Sequence, residues 1–169
     1  MARNLIFITP AALAGLFAAA APAVAGVTNT DLAVSAAVEA TCTVSTTAVA
    51  FGGVNTLSAT ADVANGALIV TCTPGTTWAA TAGLGNGTGA TFALRKMTIA
   101  ATTNTLSYTL YTNSTRTIIW GDGVSPNGSF TGTGTGAAQA NTIYGRVPGS
   151  QGTAAIGSYA DTVAVTVTF

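Results

Sequence analysis

The chain has 169 residues, of which 49% are hydrophobic and 6% charged, and its mean hydropathy is +0.53, a composition that excludes a disordered chain. Five Lys and Arg balance five Asp and Glu, which leaves no basic patch for a nucleic acid, so we expect no nucleic-acid partner. Histidine is absent, which removes the usual general base and the commonest metal ligand, so we expect no enzyme, no metal and no cofactor.

The first 25 residues have the three parts of a secretory signal peptide. Arg3 supplies a positive charge, residues 5–21 form an apolar run, and residues 23–25 (A-V-A) have the small-residue pattern of a cleavage site. The apolar run is interrupted and falls short of a comfortable membrane span. We therefore predict cleavage before Gly26 and secretion into an oxidising compartment.

Residues 26–40 form a candidate N-terminal extension ahead of the first cysteine. Apolar or small side chains recur there at every second position, at Leu32, Val34, Ala36 and Val38. This alternation predicts a strand with one apolar and one polar face. Periodicity alone leaves two alternatives, because the strand either belongs to the chain's own sandwich or adds to the sheet of another subunit.

Cys42 and Cys72 are the only cysteines of the chain. They do not form a C-x-x-C motif, and a chain without histidine offers few further metal ligands, so we predict a single disulfide. Such a bond makes the two strands that contain the cysteines either neighbours in one sheet or facing partners across a sandwich.

The remainder of the chain predicts an all-β protein, because Thr, Ala, Gly and Val dominate and the hydrophobic period is two. The predicted strands cover residues 42–44 with 49–51, 67–73, 78–82, 91–99, 106–112, 117–120, 142–147 and 159–169. Glycine-rich turns separate them, and residues 121–138 are predicted to form the longest loop. Short, evenly spaced strands are typical of a β-sandwich.

The final strand has the clearest alternation in the chain. Its apolar face contains Tyr159, Val163, Val165, Val167 and Phe169. Small and polar residues share the other face, and Asp161 is the exception on the apolar face. We expect the apolar face to be buried and the edge of this strand, with no residue following Phe169, to need a partner strand.

Several blocks of the sequence, in order, carry a resemblance to a known family. They are residues 38–44 (V-E-A-T-C-T-V), 68–72 (L-I-V-T-C), 106–111 (L-S-Y-T-L-Y), 116–117 (R-T), 120–121 (W-G), 143–148 (I-Y-G-R-V-P) and 157–169, whose pattern G-x-Y-x-D-x-V-x-V-x-V-x-F is the most specific. On these blocks the mature chain resembles the spore coat protein U family, the pilin-like subunits of archaic, Csu-type chaperone-usher pili.

The resemblance implies an incomplete immunoglobulin-like β-sandwich over residues 41–169 that lacks its last strand. It implies a structural subunit of a secreted surface fibre that polymerises by donor-strand complementation and supports adhesion and biofilm formation at the cell surface. The implied partners are further copies of the chain or related pilin subunits, a periplasmic chaperone and an outer-membrane usher.

The resemblance also assigns residues to the two sides of the subunit contact. Residues 26–40 become the donor-strand extension, with side chains that plug a neighbour: Leu32, Val34, Ala36 and Val38. The acceptor groove is lined by Val163, Val165, Val167 and Phe169. Ala36 is small for a plug, and the disulfide between Cys42 and Cys72 staples the first two strands.

Two alternatives share parts of this pattern. A small outer-membrane β-barrel also has a signal peptide, about eight strands and a terminal aromatic residue, but several predicted strands are shorter than such a barrel needs. A pilus-tip adhesin or sugar-binding module would use Trp78, Tyr111 and Trp120 for stacking, yet aromatic side chains at strand positions more often belong to the core.

Overall fold

The structure is a computed structural model that describes residues 22–169. The predicted signal peptide lies outside the described residues apart from residues 22–25. A compact body covers Ala37–Phe169, separate from the N-terminal part that ends at Ala36. No helix long and apolar enough to cross a membrane occurs within residues 22–169.

The described chain contains eight strands and no helix, which confirms the all-β prediction. The strands are β1 (Cys42–Thr47), β2 (Asp62–Cys72), β3 (Thr77–Ala82), β4 (Arg95–Thr98), β5 (Thr105–Tyr111), β6 (Phe130–Thr133), β7 (Gln139–Val147) and β8 (Val165–Thr168). They form a large sheet in the order β1-β2-β7-β5-β4 and a small sheet in the order β6-β3-β8, with antiparallel pairing throughout.

The two sheets enclose a single hydrophobic core because each central strand alternates buried and more exposed residues. The buried apolar residues are Leu68, Val70 and Cys72 of β2, Trp78, Ala80 and Ala82 of β3, Leu106, Tyr108 and Leu110 of β5, and Ile143 and Val147 of β7, together with Trp120 and Phe130. The sandwich is thus built as the period-two pattern predicts.

The predicted disulfide is present between Cys42 and Cys72. The two cysteines are directly opposite each other in the antiparallel pair of β1 and β2, with Cα atoms 4.1 Å apart. The strands that they join are therefore neighbours in one sheet and not facing partners across the sandwich.

The chain leaves the large sheet after β1, so the predicted strand at residues 49–51 is wrong. Residues 48–54, which we call the wall segment, lie over the inward face of β2 and β7 at two glycines. A Cβ atom on Gly66 would come within 2.8 Å of Val49 Cγ2, and one on Gly145 within 2.8 Å of Phe51 Cζ. Glycine at these two positions leaves the room that the wall segment occupies.

Strand β6 lies inside the predicted loop at residues 121–138, so that prediction is wrong for residues 130–133. Phe130 packs edge to face on Trp120, with ring centroids 5.1 Å apart, and Thr131 and Gly132 pair with Ala79 and Trp78 of β3. Tertiary contacts therefore form a strand despite the glycines around it. Residues 117–120 form isolated bridges only, and residues 91–94 precede β4 as a turn.

The predicted final strand, residues 159–169, is divided between the two sheets. Ala160 exchanges two backbone hydrogen bonds with Thr98 at the end of β4, in the large sheet. Val165 begins β8 in the small sheet, opposite Ala82 of β3. Residues 161–164, which we call the crossing segment, therefore pass from one sheet to the other.

Candidate functional site

A cavity of about 350 Å³ opens between the two sheets because the small sheet has three strands and the large sheet has five. One side of the cavity is formed by residues 46–49 with Phe51, and the other by residues 160–163 with Val165. Its floor is the interior of the sandwich, at Met97, Tyr108, Leu110, Trp120 and Ile143. We call this cavity the groove; it lies entirely within the body, residues 37–169.

The groove continues into a second cavity of about 670 Å³. The two cavities share Val49, Phe51 and Met97. The second cavity lies between residues 52–57 and residues 154–159, so the opening follows the wall segment on one side and the C-terminal residues on the other. An opening that runs in this way between two segments of the chain has the shape of a vacant strand position.

The strand edges beside the groove are also free. Within the described part of the chain, β8 ends the small sheet and pairs only with β3, while β1 ends the large sheet and pairs only with β2. Val44 of β1 lies opposite the buried Val70, on the inward face, yet 45% of its surface is exposed. An inward-facing valine is this exposed because no strand covers it from the small sheet.

The structure places the four predicted acceptor residues at different depths. Val163 and Val165 line the groove, and Val167 packs against the core. Phe169 is 56% exposed and lies beside Thr77 and Thr168, outside the groove lining. The alternation therefore brings three valines to the inward side, and the fourth side chain lies at the end of the row.

The four predicted donor residues belong to a part of the chain that forms no strand. Residues 22–41 have no regular secondary structure, so the strand predicted in the extension at residues 26–40 is not formed within the single chain described. Leu32, Val34 and Val38 are each 86% exposed, and Ala36 is exposed as well. Large exposed apolar side chains at alternate positions are unusual for a soluble chain without a partner.

Two parts of the groove were not predicted from the sequence. They are the side formed by the wall segment, opposite the C-terminal residues, and the floor. Val49 and Phe51 form that wall, and Phe51 packs edge to face on Tyr108 of the floor, with centroids 6.4 Å apart. Inward-facing glycines in the middle of strands were the available signal, because glycine in a strand interior marks a site where other atoms approach closely.

A buried cation is hydrogen-bonded to the backbone of the groove floor. Arg95 of β4 is fully buried, and its guanidinium donates hydrogen bonds to the carbonyl oxygens of Gly83 (2.9 Å), Phe92 (3.2 Å) and Trp120 (2.7 Å). Burial lowers the pKa of Arg95, while nearby Tyr108 and Asp161 act in the opposite direction. The three carbonyls replace the water that the buried charge has lost.

Tyr108 and Asp161 both line the groove and are hydrogen-bonded to each other. The Tyr108 hydroxyl donates a 2.7 Å hydrogen bond to Oδ2 of Asp161. Burial raises the pKa of Tyr108 well above its usual value, and the bond to the Asp161 carboxylate raises it further. Tyr108 is thus a neutral hydrogen-bond donor across the physiological pH range.

The aromatic residues of the proposed sugar-binding alternative are core residues. Trp78, Tyr111 and Trp120 are 4%, 9% and 1% exposed. The indole N–H of Trp120 donates to the carbonyl of Ala80 at 2.9 Å, and that of Trp78 donates to Oε1 of Gln139 at 3.3 Å. Their ring faces are therefore not available to stack on a sugar.

A solved structure shares this fold. The chaperone–tip adhesion subunit pre-assembly complex CsuC–CsuE, from archaic chaperone-usher Csu pili of Acinetobacter baumannii, superposes with a TM-score of 0.58 at 20% sequence identity. The match covers 78% of this chain and 40% of that chain. The likeness shows that the two-sheet sandwich has the Csu pilin fold.

Sequence comparison identifies the family. Protein U of Myxococcus xanthus is 40% identical over 108 residues, which are 62% of this chain and 59% of that protein, so the match spans less than two thirds of this relative. The family model of the Spore Coat Protein U domain matches residues 28–166, nearly the whole chain beyond the predicted signal peptide. The chain therefore belongs to the Spore Coat Protein U domain family.

Proposed function

We propose that the chain is a structural subunit of a secreted surface fibre, an archaic chaperone-usher pilus, that polymerises by donor-strand complementation. The observation that carries the proposal is the groove, where an incomplete small sheet leaves apolar residues such as Phe51, Met97 and Val163 only half-buried. The extension at residues 26–40 is the donor, and the groove beside Val163 and Val165 is the acceptor. The role is structural and not catalytic.

The energetics favour a tight contact. Each buried Leu or Val side chain contributes about 1.5–3 kcal/mol before ordering costs, and each backbone hydrogen bond adds about 0.5–1.5 kcal/mol net. Leu32, Val34 and Val38, with a strand ladder along the free edge of β8, therefore supply enough free energy for a stable joint. Since the contact is head-to-tail, repeated addition produces an open fibre.

The same groove accounts for the accessory partners that we propose. An apolar opening in a free subunit invites aggregation, so a periplasmic chaperone covers it until an outer-membrane usher exchanges the chaperone for the next subunit. The similar Csu structure is itself a complex of a chaperone with a subunit. The fibre is displayed at the cell surface and supports adhesion and biofilm formation.

The test compares two substitutions of equal charge on opposite faces of the donor. L32D places a carboxylate on the plugging face, and A33D places one on the other face. When each variant is expressed with the chaperone and usher, we expect L32D to fold but to form no fibres, because a charge cannot enter the apolar groove without a large desolvation cost. A33D is expected to form fibres.

Fibre formation is measured by electron microscopy and by ladders that resist SDS until boiled. Fibres of normal length from L32D would show that Leu32 does not plug a neighbour. Equal loss of fibres in L32D and A33D would show that the face of the strand does not matter, which also contradicts the donor assignment.

A further inference from the structure

Asp161 is the one position where the apolar face of the C-terminal residues carries a charge. Among the described residues that line the groove, it is the only Asp, Glu, Lys or Arg. A carboxylate beside Val163 and Val165 lowers the apolar area available to an incoming strand. The position therefore needs an explanation other than contact with apolar plugs.

The Asp161 carboxylate is directed into its own chain. Oδ2 accepts the hydrogen bond from Tyr108, and Oδ1 accepts bonds from the backbone N–H groups of Asn86 (2.7 Å) and Thr162 (2.8 Å). Gly85 lies so close that a Cβ atom there would overlap the carboxylate. With both oxygens engaged, the carboxylate fastens the start of the crossing segment to the loop after β3 and to the groove floor.

The other end of the crossing segment is fastened to the same loop. The N–H of Gly83 donates a 2.8 Å hydrogen bond to the carbonyl of Ala164, and the carbonyl of Gly83 accepts from buried Arg95. Arg95 therefore fixes the loop at residues 83–86 through the carbonyl of Gly83. The same loop is hydrogen-bonded to both ends of the crossing segment, residues 161–164, at the rim of the groove. Asp161 is the only side chain of the crossing segment in this network among the described residues.

Without this anchor, the crossing segment has a simple way to bury apolar surface. Val163 lines the groove and is only half-buried, and the same is true of Met97 in the floor and of Val49 and Phe51 in the facing wall. Movement of Val163 onto Met97 would bury more apolar surface of both side chains, and the hydrophobic effect favours this collapse. A collapsed groove would have to reopen before a strand could enter it.

We propose that Asp161 is a positioning residue that holds the crossing segment at the rim and keeps the groove open for an incoming strand. The proposal rests on the proposed function for the identity of that strand. Pre-organisation of this kind lowers the ordering cost of binding and acts mainly on the rate of entry.

The test measures the association and dissociation rate constants of a labelled synthetic peptide of residues 28–40. The protein is the mature chain, residues 26–169, with L32D so that its own extension does not compete. D161N is introduced into this background. The matched control is D122N, because the Asp122 carboxylate also accepts bonds from a backbone N–H, that of Val124, and from a side chain, that of Asn127, but does not line the groove.

We expect D161N to lower the association rate constant about tenfold, while the dissociation rate constant changes less than about twofold, and D122N to change neither. Faster dissociation with unchanged association would mean that Asp161 contacts the occupant, which overturns the positioning role. Rates equal to those of D122N would overturn it as well. Y108F removes one of the three hydrogen bonds to Asp161. We expect it to lower the association rate constant by less than D161N does, again with little change in the dissociation rate constant. The test therefore remains possible if D161N does not fold.

A second readout does not involve the peptide. With Val163→Cys as a probe, we expect maleimide labelling to be several-fold slower in D161N than in the parent, because the side chain moves onto the floor. If the parent chain binds no peptide, the proposed function fails, and the labelling rate alone then decides the role of Asp161. Equal labelling rates would overturn the positioning role whatever the peptide does.

Discussion

Tyr108 shows how one polar atom in the groove floor couples stability to pH. The folded state favours the neutral hydroxyl, because burial and the bond to Asp161 raise its pKa above the usual value of 10.0. A raised pKa contributes stability that is complete below pH 10 and is lost as the pH rises further, since the unfolded chain then releases a proton that the folded chain retains.

We predict that Y108F removes this part of the pH dependence. Above pH 10 the parent loses about 1.4 kcal/mol of unfolding free energy per pH unit through Tyr108, and Y108F does not. At pH 7 the variant is less stable by about 1.5–3 kcal/mol, because the hydrogen bond to a charged group is gone. Urea unfolding between pH 7 and 11.5 measures both effects. Parallel stability curves for the two proteins would contradict the assignment.

Residues that follow a strict local pattern could be predicted from the sequence, and residues defined by long-range contacts could not. Cys42 and Cys72 are the only cysteines, and with the predicted oxidising compartment they indicated the disulfide. The alternation after Tyr159 indicated that Val163 and Val165 face the groove. Arg95 gave no comparable signal, because a single arginine in a predicted strand has no periodicity that distinguishes a buried cation from a solvent-exposed one.

At the scale of elements, the wall segment depends on two strands that have glycine where a side chain would otherwise point inward. We predict that Gly145→Ala displaces the wall, because the new Cβ would lie 2.5 Å from Val49 Cγ1 and 2.8 Å from Phe51 Cζ. Overpacking of this kind costs about 1–3 kcal/mol. The measurement is chemical denaturation together with binding of the residue 28–40 peptide to the groove.

Gly53→Ala is the matched control for that substitution. Gly53 lies in the same segment, and a Cβ atom there would meet nothing within 4 Å. We expect its unfolding free energy and its peptide binding to stay close to those of the parent. A Gly145→Ala protein as stable as Gly53→Ala would show that the wall yields freely and that the glycine is not required.

Elements were predictable where local alternation and turn chemistry agreed. Strands β3, β5 and β7 were predicted close to their observed positions because each has clear alternation between turn residues. Strand β6 was missed because Phe130 and Gly132 acquire strand geometry from pairing with β3. The division of residues 159–169 was missed because the alternation, interrupted only at Asp161, continues across a change of sheet.

At the scale of the whole molecule, the proposed joint has two different halves, and removal of either half should terminate a fibre. We predict that a chain lacking residues 26–40 still accepts a donor but offers none, so that it terminates growth at one end. V165D is predicted to terminate the other end, because the carboxylate blocks the groove. At one terminator per ten normal subunits, we expect a mean length on the order of ten subunits, measured by electron microscopy.

A chain with both changes is the control for this experiment. It can neither offer nor accept a strand, so we expect it to leave fibre length unchanged at the same ratio. Shorter fibres in the presence of the double variant would mean that such chains inhibit assembly by aggregation and not by occupying one half of the joint. No shortening by either single variant would contradict the two-sided joint.

The position of the disulfide determines how tension enters the sandwich. Cys42 is the first residue of β1, so a pull on the residues before it reaches the large sheet at the strand end where Cys42 faces Cys72. An edge strand held only by hydrogen bonds would peel away one pair at a time from that end. The covalent link passes the pull directly to β2, which is hydrogen-bonded to β7 along nine residue pairs. In a fibre of such subunits, the disulfide would therefore resist stretching at the point where β1 would otherwise separate most easily from β2.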